Sequence, residues 1–382
     1  MDKTVYIDHN ATTPPLPEVI DAVCGAMGLI GANPSSIHAN GRAARKLIDD
    51  AREAVAALVG AVPEEVIFTS GGSEANNAVI MGAGRRRILV SPTEHAAVLK
   101  TVLTRAADSD LIPVDHNGLV DMEGLETLLA EAEEPALVCV MAANNETGVL
   151  QPMAEISELA HRHGALVHCD AVQAVGKIPV DIKSWGVDYL ALSGHKIGGP
   201  QGIGALVRCS QSPLSSFITG GGQEHGLRAG TENVAAISGL GVAARVAADT
   251  LEEKAVRLKA YRDALEAGIK ALSPATKIFC EQVPRLPNTS NFTLPGVRSD
   301  RQLTALDLAS VSVSAGSACS AGKVEPSHVL DSMDIDPEIS TTALRVSFGW
   351  SSQAADVDKF LEAWSDLVRH ETAGLAAASS AA

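Results

Sequence analysis

Between residues 60 and 210 the chain alternates short apolar, β-rich runs with stretches of helical spacing, and no other feature constrains the fold as strongly. Strands are read at Val66–Thr69, Arg87–Ser91, Leu111–Val114, Ala136–Met141, Ala165–His168, Val187–Leu192 and Gly204–Arg208. Helical spacing begins near Ser73 and near Ala96, and covers Met122–Glu133 and Ala154–His163. Strands interleaved with helices in this way predict an α/β fold with a large, mostly parallel sheet covered on both faces.

At 382 residues the chain is too long for one simple core, since single cores stop growing at roughly 250–300 residues. A large domain over residues 12–253 is expected, with a smaller α+β domain formed by 1–11 and 254–382. A helical run from about Asn233 to Leu272 bridges the two. Beyond it, strands are read at Lys277–Cys280 and Ser290–Thr293, then a helix at Arg301–Leu308. Ahead of the sheet, VYIDHNATTPPLP reads as a short strand and a polar turn, Pro17–Leu29 as a helix and GANPSSIH as a loop. A further helix over Arg42–Val59 ends at Gly60, an ordinary C-cap position. The low-complexity tail GLAAASSAA is expected to fray.

The net charge of −16 argues against a nucleic-acid groove, which demands clustered Lys and Arg. No apolar run approaches the roughly 20 residues of a membrane span, and the N-terminus lacks a basic region followed by an apolar stretch. A cytoplasmic protein is expected. The six cysteines are widely spaced, without a CxxC pair, so neither a zinc site nor a disulfide framework is suggested. Cys139, Cys169, Cys209 and Cys280 lie in or beside apolar runs and read as small buried hydrophobes. Cys319 instead sits in SAGSACSAGK, where small residues predict a mobile loop.

Several strand exits carry polar groups suited to a ligand crevice. In YLALSGHKIGGPQGIGAL, Lys196 follows an apolar strand and precedes four glycines. Such a lysine either rides a solvated turn or is held at a concave site, where it can form a Schiff base with an aldehyde such as pyridoxal phosphate. TSGGSEANN places glycines and a helix start where free N–H groups attract a phosphate, or makes a simple strand-to-helix turn. His95 follows another strand, as a cap or a site residue. The Asn144–Asn145 pair makes a turn or sends a side chain into a pocket. Asp170 ends an apolar strand, where a poorly solvated acid needs a cationic partner or caps the next turn. Asn33, in GANPSSIH, is by itself a plain turn former. The glycine-rich stretch Thr219–Thr231 is too polar for a core.

Taken together, TSGGSEANN, TEHAAV, NNETGV, DAVQAVGK, SGHKIGGPQGIGAL, GLRAGTEN, SAGSACSAGKVEPSHV and LRVSFG resemble the motifs of the cysteine desulfurases. These are pyridoxal phosphate enzymes of the class V aminotransferase group. The chain is most similar to their nitrogenase-associated and housekeeping iron–sulfur type, and the match runs from Tyr6 to about Gly349. The resemblance implies the fold type I architecture of pyridoxal phosphate transferases. It also implies conversion of L-cysteine to L-alanine, with the sulfur carried as a persulfide on Cys319 to a scaffold or carrier protein.

The same resemblance assigns roles. Lys196 would bind the cofactor covalently and shuttle protons, Asp170 would pair with its pyridinium nitrogen, and Gln173 would bond its phenolic oxygen. His95 would stack on the ring and handle protons, with Asn145 approaching from the side. Gly72, Ser73, Ser193 and His195 would hold the phosphate, and Thr231 would reach it from the other subunit of a homodimer. Arg345, with Asn33, would grip the substrate carboxylate, to which a planar guanidinium fork is suited. Two departures from the pattern are His225 and Trp350, where many relatives carry a basic residue and an arginine. They bear on carrier contacts and pathway. Selenocysteine lyase or a class V aminotransferase would share the fold, but a transaminase has no need of Cys319. A scaffold that merely binds partners has no need of Lys196, Asp170 and His95.

Overall fold

The chain enters through a two-residue strand, β1 (Val5–Tyr6), and then builds a seven-stranded sheet. Its strands are β2 (Val66–Thr69), β3 (Ile88–Val90), β4 (Ser109–Leu111), β5 (Leu137–Cys139), β6 (Leu166–Asp170), β7 (Tyr189–Ser193) and β8 (Gly204–Arg208). In this computed structural model, residues 4–29, 31, 33–105, 108–316 and 326–379 are described. The sheet order is β2-β8-β7-β6-β5-β3-β4. The strands from β7 across to β4 run parallel, and β8 runs antiparallel to both its neighbours. Alternate residues feed two different cores, as the period of two dictates. Phe68, Leu89, Val138, Val167, Leu190 and Val207 join one cluster, whereas Ile67, Ile88, Leu137, Tyr189 and Leu206 join the other.

The helices preceding and covering the sheet are α1 (Pro17–Met27), α2 (Ala39–Leu58), α3 (Gly72–Gly82), α4 (Ala96–Arg105), α5 (Met122–Ala130), α6 (Met153–Arg162) and the single turn α7 (Ile182–Trp185). They are followed by α8 (Val234–Asp249) and α9 (Leu251–Leu272). Apolar faces of α2, α5, α6 and α8 close one side of the sheet, and those of α3 and α4 close the other. The close approach of α8 to α2 depends on Gly241, where a Cβ would lie 2.6 Å from Ala51.

Beyond α9, the strand β9 (Thr289–Thr293) pairs antiparallel with β11 (Ala343–Ser347), and β10 (Val311–Ser312) pairs parallel with β1. A second core forms here from Val5, Ile7, Leu265, Phe292, Leu344, Phe360 and Trp364. Trp364 is fully buried and meets Phe292 edge-on at 5.9 Å between ring centroids.

The sheet follows the sequence reading closely, and the departures have local causes. The strand expected over 111–114 lies at 109–111 on the sheet edge, with Leu111 half exposed; Pro113 has no N–H to continue the ladder. The helical run 233–272 breaks at Thr250, where the two helices bend by 73°. Thr250 turns its hydroxyl back onto the Val246 carbonyl at 2.7 Å. Residues 277–280 form no strand; Ile278 makes a single bridge to Phe292, and Cys280 turns the chain at φ 56°. Cys139, Cys169 and Cys280 are buried as expected, but Cys209 is half-buried. The tail continues as helix to Ser379. Among the described residues, no single helix is long and apolar enough to cross a membrane.

The polar glycine-rich stretch 219–231 is less detached than its composition suggests. Glu224 is 5 % exposed and forms a bidentate ion pair with Arg52 at 2.8 and 2.9 Å, while also accepting from the Phe68 N–H at 2.8 Å. Arg52 in turn lies over the Phe68 ring. One buried carboxylate thus pins this stretch to α2 and β2.

Candidate active site

The strands β2, β3, β5, β6 and β7 all deliver the chain out of the same edge of the sheet, and the turns that follow wall a cavity of about 240 Å³. This is the crevice outside the carboxyl ends of the strands, where open α/β sheets bind ligands. Gly72, Ser73, His95, Asn145, Asp170, Gln173, Ser193, His195, Lys196 and Arg345 all line it, joined by Asn10, Ala11, Asn76, Met141 and Val172.

At one end of the cavity, α3 begins without a capping side chain at Gly71, so the N–H groups of its first turn meet the cavity through Gly72 and Ser73. Gly71 holds φ 155°, a conformation that L side chains rarely adopt, and lets the chain turn straight from β2 into the helix. Behind it Gly204 is obligatory, because a Cβ would lie 2.6 Å from the Leu192 carbonyl and 2.8 Å from Gly71.

Asp170, the last residue of β6, is 5 % exposed. Its Oδ2 accepts from Asn76 Nδ2 at 2.7 Å, and its Oδ1 accepts from the Val172 N–H at 3.0 Å. It therefore makes a capping turn and also faces the cavity. Its charge is felt nearby: burial first, and then Asp170, push the Glu94 carboxyl well above the usual carboxylate range. Glu94 is buried and accepts from the Met141 N–H at 2.5 Å.

Lys196 follows β7 in a 3-10 turn and is partly buried. Its Nζ donates to the carbonyls of Asn10 and Ala11 at 2.5 and 2.7 Å, so the lysine is held at the cavity rather than splayed into water. The neighbouring His195 bonds Thr12 Oγ1 through Nδ1 at 3.0 Å. Burial, followed by the charges of Lys196 and Lys177, pushes the His195 pKa down to about 4, so this imidazole is neutral at pH 7.

His95 caps α4: its Nδ1 accepts from the Ala97 N–H at 3.1 Å. An accepting Nδ1 leaves the proton of the neutral ring on Nε2. The two asparagines after β5 divide the possible roles between them. Asn144 makes the turn, accepting from the Glu146 and Thr147 N–H groups through Oδ1 at 2.8 and 2.9 Å, whereas Asn145 lines the cavity.

Arg345 rises from β11, 2 % exposed along its side chain, and pairs with Asp8 at 2.7 Å. It also donates to the Asn145 carbonyl at 3.0 Å, and its buried Nε has no partner among the described residues. Its two terminal nitrogens, each with two N–H groups and one bond among the described residues, keep donors that suit a carboxylate ligand.

Three candidates are not brought to this wall. Asn33 is exposed, and its Oδ1 accepts from the Ser35 N–H at 2.9 Å, the turn-forming geometry. Thr231 is exposed beside Ser70 and Arg228 in a separate surface groove. Cys319 lies outside the described residues. Conversely, the sequence reading passed over Asp8, Asn10 and Thr12 in DHNATT, along with Asn76 and Lys177. The signal was present: a polar run between a strand and a proline pair has no apolar face to bury and is free to serve a site.

The chain matches the family model described as "Aminotransferase class-V" over residues 5–360. It is 40% identical to an IscS-like cysteine desulfurase of Mycobacterium tuberculosis, over 98% of this chain and 99% of that one. It is 42% identical to a cysteine desulfurase of Cereibacter sphaeroides, over 94% of both chains. Among solved structures, the NifS-like protein of Rickettsia africae superposes with a TM-score of 0.89 at 37% identity, covering 95% of this chain and 99% of that one.

Proposed function

Because this chain belongs to the class V aminotransferase family, we propose that it is a pyridoxal phosphate-dependent cysteine desulfurase that converts L-cysteine to L-alanine and passes the sulfur on for iron–sulfur cluster assembly. The observation that carries this reading is the convergence of Lys196, Asp170 and the open N-terminus of α3 on one cavity. Those three groups fit the cofactor's aldehyde, ring nitrogen and phosphate respectively, and each approaches from a different strand end.

Lys196 would hold the cofactor, with Gly72, Ser73, Ser193 and His195 around its phosphate. Asp170 would hold a proton on the ring nitrogen, Gln173 would bond the phenolic oxygen, and His95 and Asn145 would flank the ring. When bound, the cofactor supplies an electron sink that weakens bonds at the substrate's α- and β-carbons. The protein's part is orientation and proton movement. Lys196 is positioned to take and return a proton at the substrate's α-carbon, since its nitrogen already sits in the cavity on two carbonyls. The guanidinium of Arg345 would fix the substrate carboxylate, with Asn33, which stands off the cavity wall, as its expected partner. Cys319, as thiolate, would take the sulfur: its S–S bond forms as the substrate's Cβ–S bond breaks, and the electron pair left on that carbon takes up a proton to give alanine. Burial at the strand exits favours the neutral imidazole of His195.

A homodimer is part of this reading, with Thr231 reaching the partner's phosphate site; its exposure on the 219–231 stretch supports this. Residues 12–253 form the large cofactor-binding domain and residues 1–11 with 254–382 the small one, a division supported by the separate core around Trp364. A sulfur-accepting scaffold or carrier and a cytoplasmic location complete the proposal.

Purified protein incubated with pyridoxal phosphate should be yellow, and should release alanine from L-cysteine in the presence of a thiol. Borohydride should abolish the visible band and leave the cofactor fixed on Lys196. A colourless preparation that cannot be reconstituted overturns the cofactor assignment. Alanine release with selenocysteine but not cysteine redirects the substrate. Sedimentation of a fully active monomer removes the dimer and the role of Thr231.

A further inference from the structure

Behind Gln173 stands a charged group that this mechanism leaves unused. Lys177 is 7 % exposed, and its Nζ donates to Gln173 Oε1 at 2.5 Å and to Asn10 Oδ1 at 2.8 Å. The two ends of a carboxamide have nearly the same shape, so hydrogen bonds decide which end points where. An ammonium can only donate, and it therefore selects Oε1. That leaves Gln173 Nε2 on the other side, where it donates to the Asn10 carbonyl at 2.9 Å. An amide NH₂ carries two donors, so one remains for the cavity that Gln173 lines.

The same nitrogen fixes a second amide. Asn10 Oδ1 accepts from Lys177 and from Asn288 Nδ2, which commits Asn10 Nδ2 to Thr289 Oγ1 at 2.9 Å and the Asn145 carbonyl at 3.2 Å. The Asn10 carbonyl in turn accepts from both Gln173 and Lys196. One buried nitrogen thus governs the placement of three groups on the cavity wall.

We propose that Lys177 is a positioning residue of the reaction, holding the Gln173 amide so that Nε2, and not Oε1, meets the phenolic oxygen of the cofactor ring. This inference rests on the pyridoxal phosphate reading given above. The charged groups facing Lys177 are Lys196, Arg345 and Lys254, and the neutral imidazole of His9 adjoins it. Burial, and after it those three charges, push its pKa well below the ordinary lysine value. The assignment is the same in both forms, because a neutral amine still has an N–H for each oxygen and the Asn10 carbonyl, which can only accept, holds Nε2 at the other end.

The test compares the pH at which the visible band of the cofactor-loaded protein titrates in the wild type and in Lys177→Met. A donor on the phenolic oxygen favours its ionised form and lowers that pKa. Lys177→Met leaves the amide held by the Asn10 carbonyl alone, so its second N–H is aimed less firmly and the spectral pKa should rise by about one unit. Alanine formation should fall about tenfold in kcat with little change in KM, as expected for loss of an interaction that matters in the transition state. Gln173→Ala should raise the same pKa, and adding Lys177→Met to it should produce no further shift, because the two act as one unit. A Lys177→Met protein that titrates like the wild type overturns the proposal. So does a shift that persists undiminished in the Gln173→Ala background, which would mark Lys177 as acting on Lys196 by charge alone. Lys177→Gln keeps an N–H donor group and provides the second variant; if neither it nor Lys177→Met yields folded, cofactor-loaded protein, Lys177 serves stability and the proposal falls. A wild-type protein without a visible band sinks the cofactor reading itself, an outcome distinct from all of these.

Discussion

Asn76 Nδ2 donates to Asp170 Oδ2 at 2.7 Å, and this contact ties the first turns of α3 to the end of β6. With Nδ2 committed, Asn76 Oδ1 must accept, so His168 Nε2 at 2.9 Å carries its ring's proton. Burial pushes the His168 pKa down to about 3, and the ring stays neutral. A neutral histidine thus orients an asparagine, which orients the carboxylate. The acid at the cavity has both oxygens engaged by donors.

Asp170→Asn keeps the size of this group and removes its charge. The variant should fold and load cofactor, yet lose about 100-fold or more in kcat, the scale seen when a preorganised electrostatic partner is removed. Steady-state alanine release measures it. Wild-type turnover would show that Asp170 does not serve the ring nitrogen.

Cys319→Ser should bind cofactor and change its visible spectrum when L-cysteine is added, but make no alanine over multiple turnovers and accept no labelled sulfur. A free thiol titrates near pH ~8.5 and is only a few per cent ionised at pH 7 unless its site lowers that value. Changing Cys24, Cys139, Cys169, Cys209 or Cys280 should leave transfer intact. The three buried cysteines are held un-ionised by burial, which pushes their thiols up. Alanine at the normal rate from Cys319→Ser would remove the persulfide step.

The buried pair Arg52–Glu224 should show in stability. Glu224→Ala leaves a guanidinium buried without its partner, at a cost of about 3–5 kcal/mol, and should lower the thermal midpoint. It should also expose the 219–231 stretch to proteolysis. The double variant Arg52→Met/Glu224→Leu should recover most of the loss, since replacing both charges removes the unpaired ion. A melting curve unchanged by Glu224→Ala would mean that the pair contributes nothing.

Acid should destabilise the fold through its neutral histidines. Folded-state values are about 3 for His168 and about 4 for His9 and His195, all below the ordinary 6.5. The unfolded chain binds protons there as pH falls below 6.5, and the folded chain does not until pH 3–4. Their contribution is therefore complete above pH 6.5 and is lost as pH falls towards those lower values. Thermal midpoints measured from pH 8 to pH 4 should be flat at first and then decline, and His168→Gln should shallow the decline. A midpoint that rises with acid over this range contradicts the assignment.

The primary wall of the site was legible because it follows from strand ends. Once β2, β3, β5, β6 and β7 are placed, the residues after them fall at one edge of the sheet, and Lys196, Asp170 and His95 come together without further information. Their supports were not legible in this way. Asn76 meets Asp170 across 94 positions of sequence, Lys177 meets Asn10 across 167, and Asp8 meets Arg345 across 337. None of these pairs leaves a periodic trace, because a single hydrogen bond imposes no pattern on its neighbours. Asn144 and Asn145 show the finer limit: adjacent and chemically identical, they differ in role because one amide is consumed by its own turn. The break at Thr250 was hidden for a related reason, since helical spacing continues through it and a 73° bend carries no composition of its own.

The hydrogen bond from the Asn10 N–H to Ser347 Oγ joins positions 337 residues apart. A ribosome must therefore deliver residue 347 before the segment around Asn10 can settle. Until then the carbonyls of Asn10 and Ala11 have no fixed place from which to receive Lys196. Nascent chains stalled short of residue 347 should accordingly fail to capture the cofactor stably, even with every strand of the large sheet already outside the exit tunnel. The enzyme's working centre closes only when residue 347 has met residue 10.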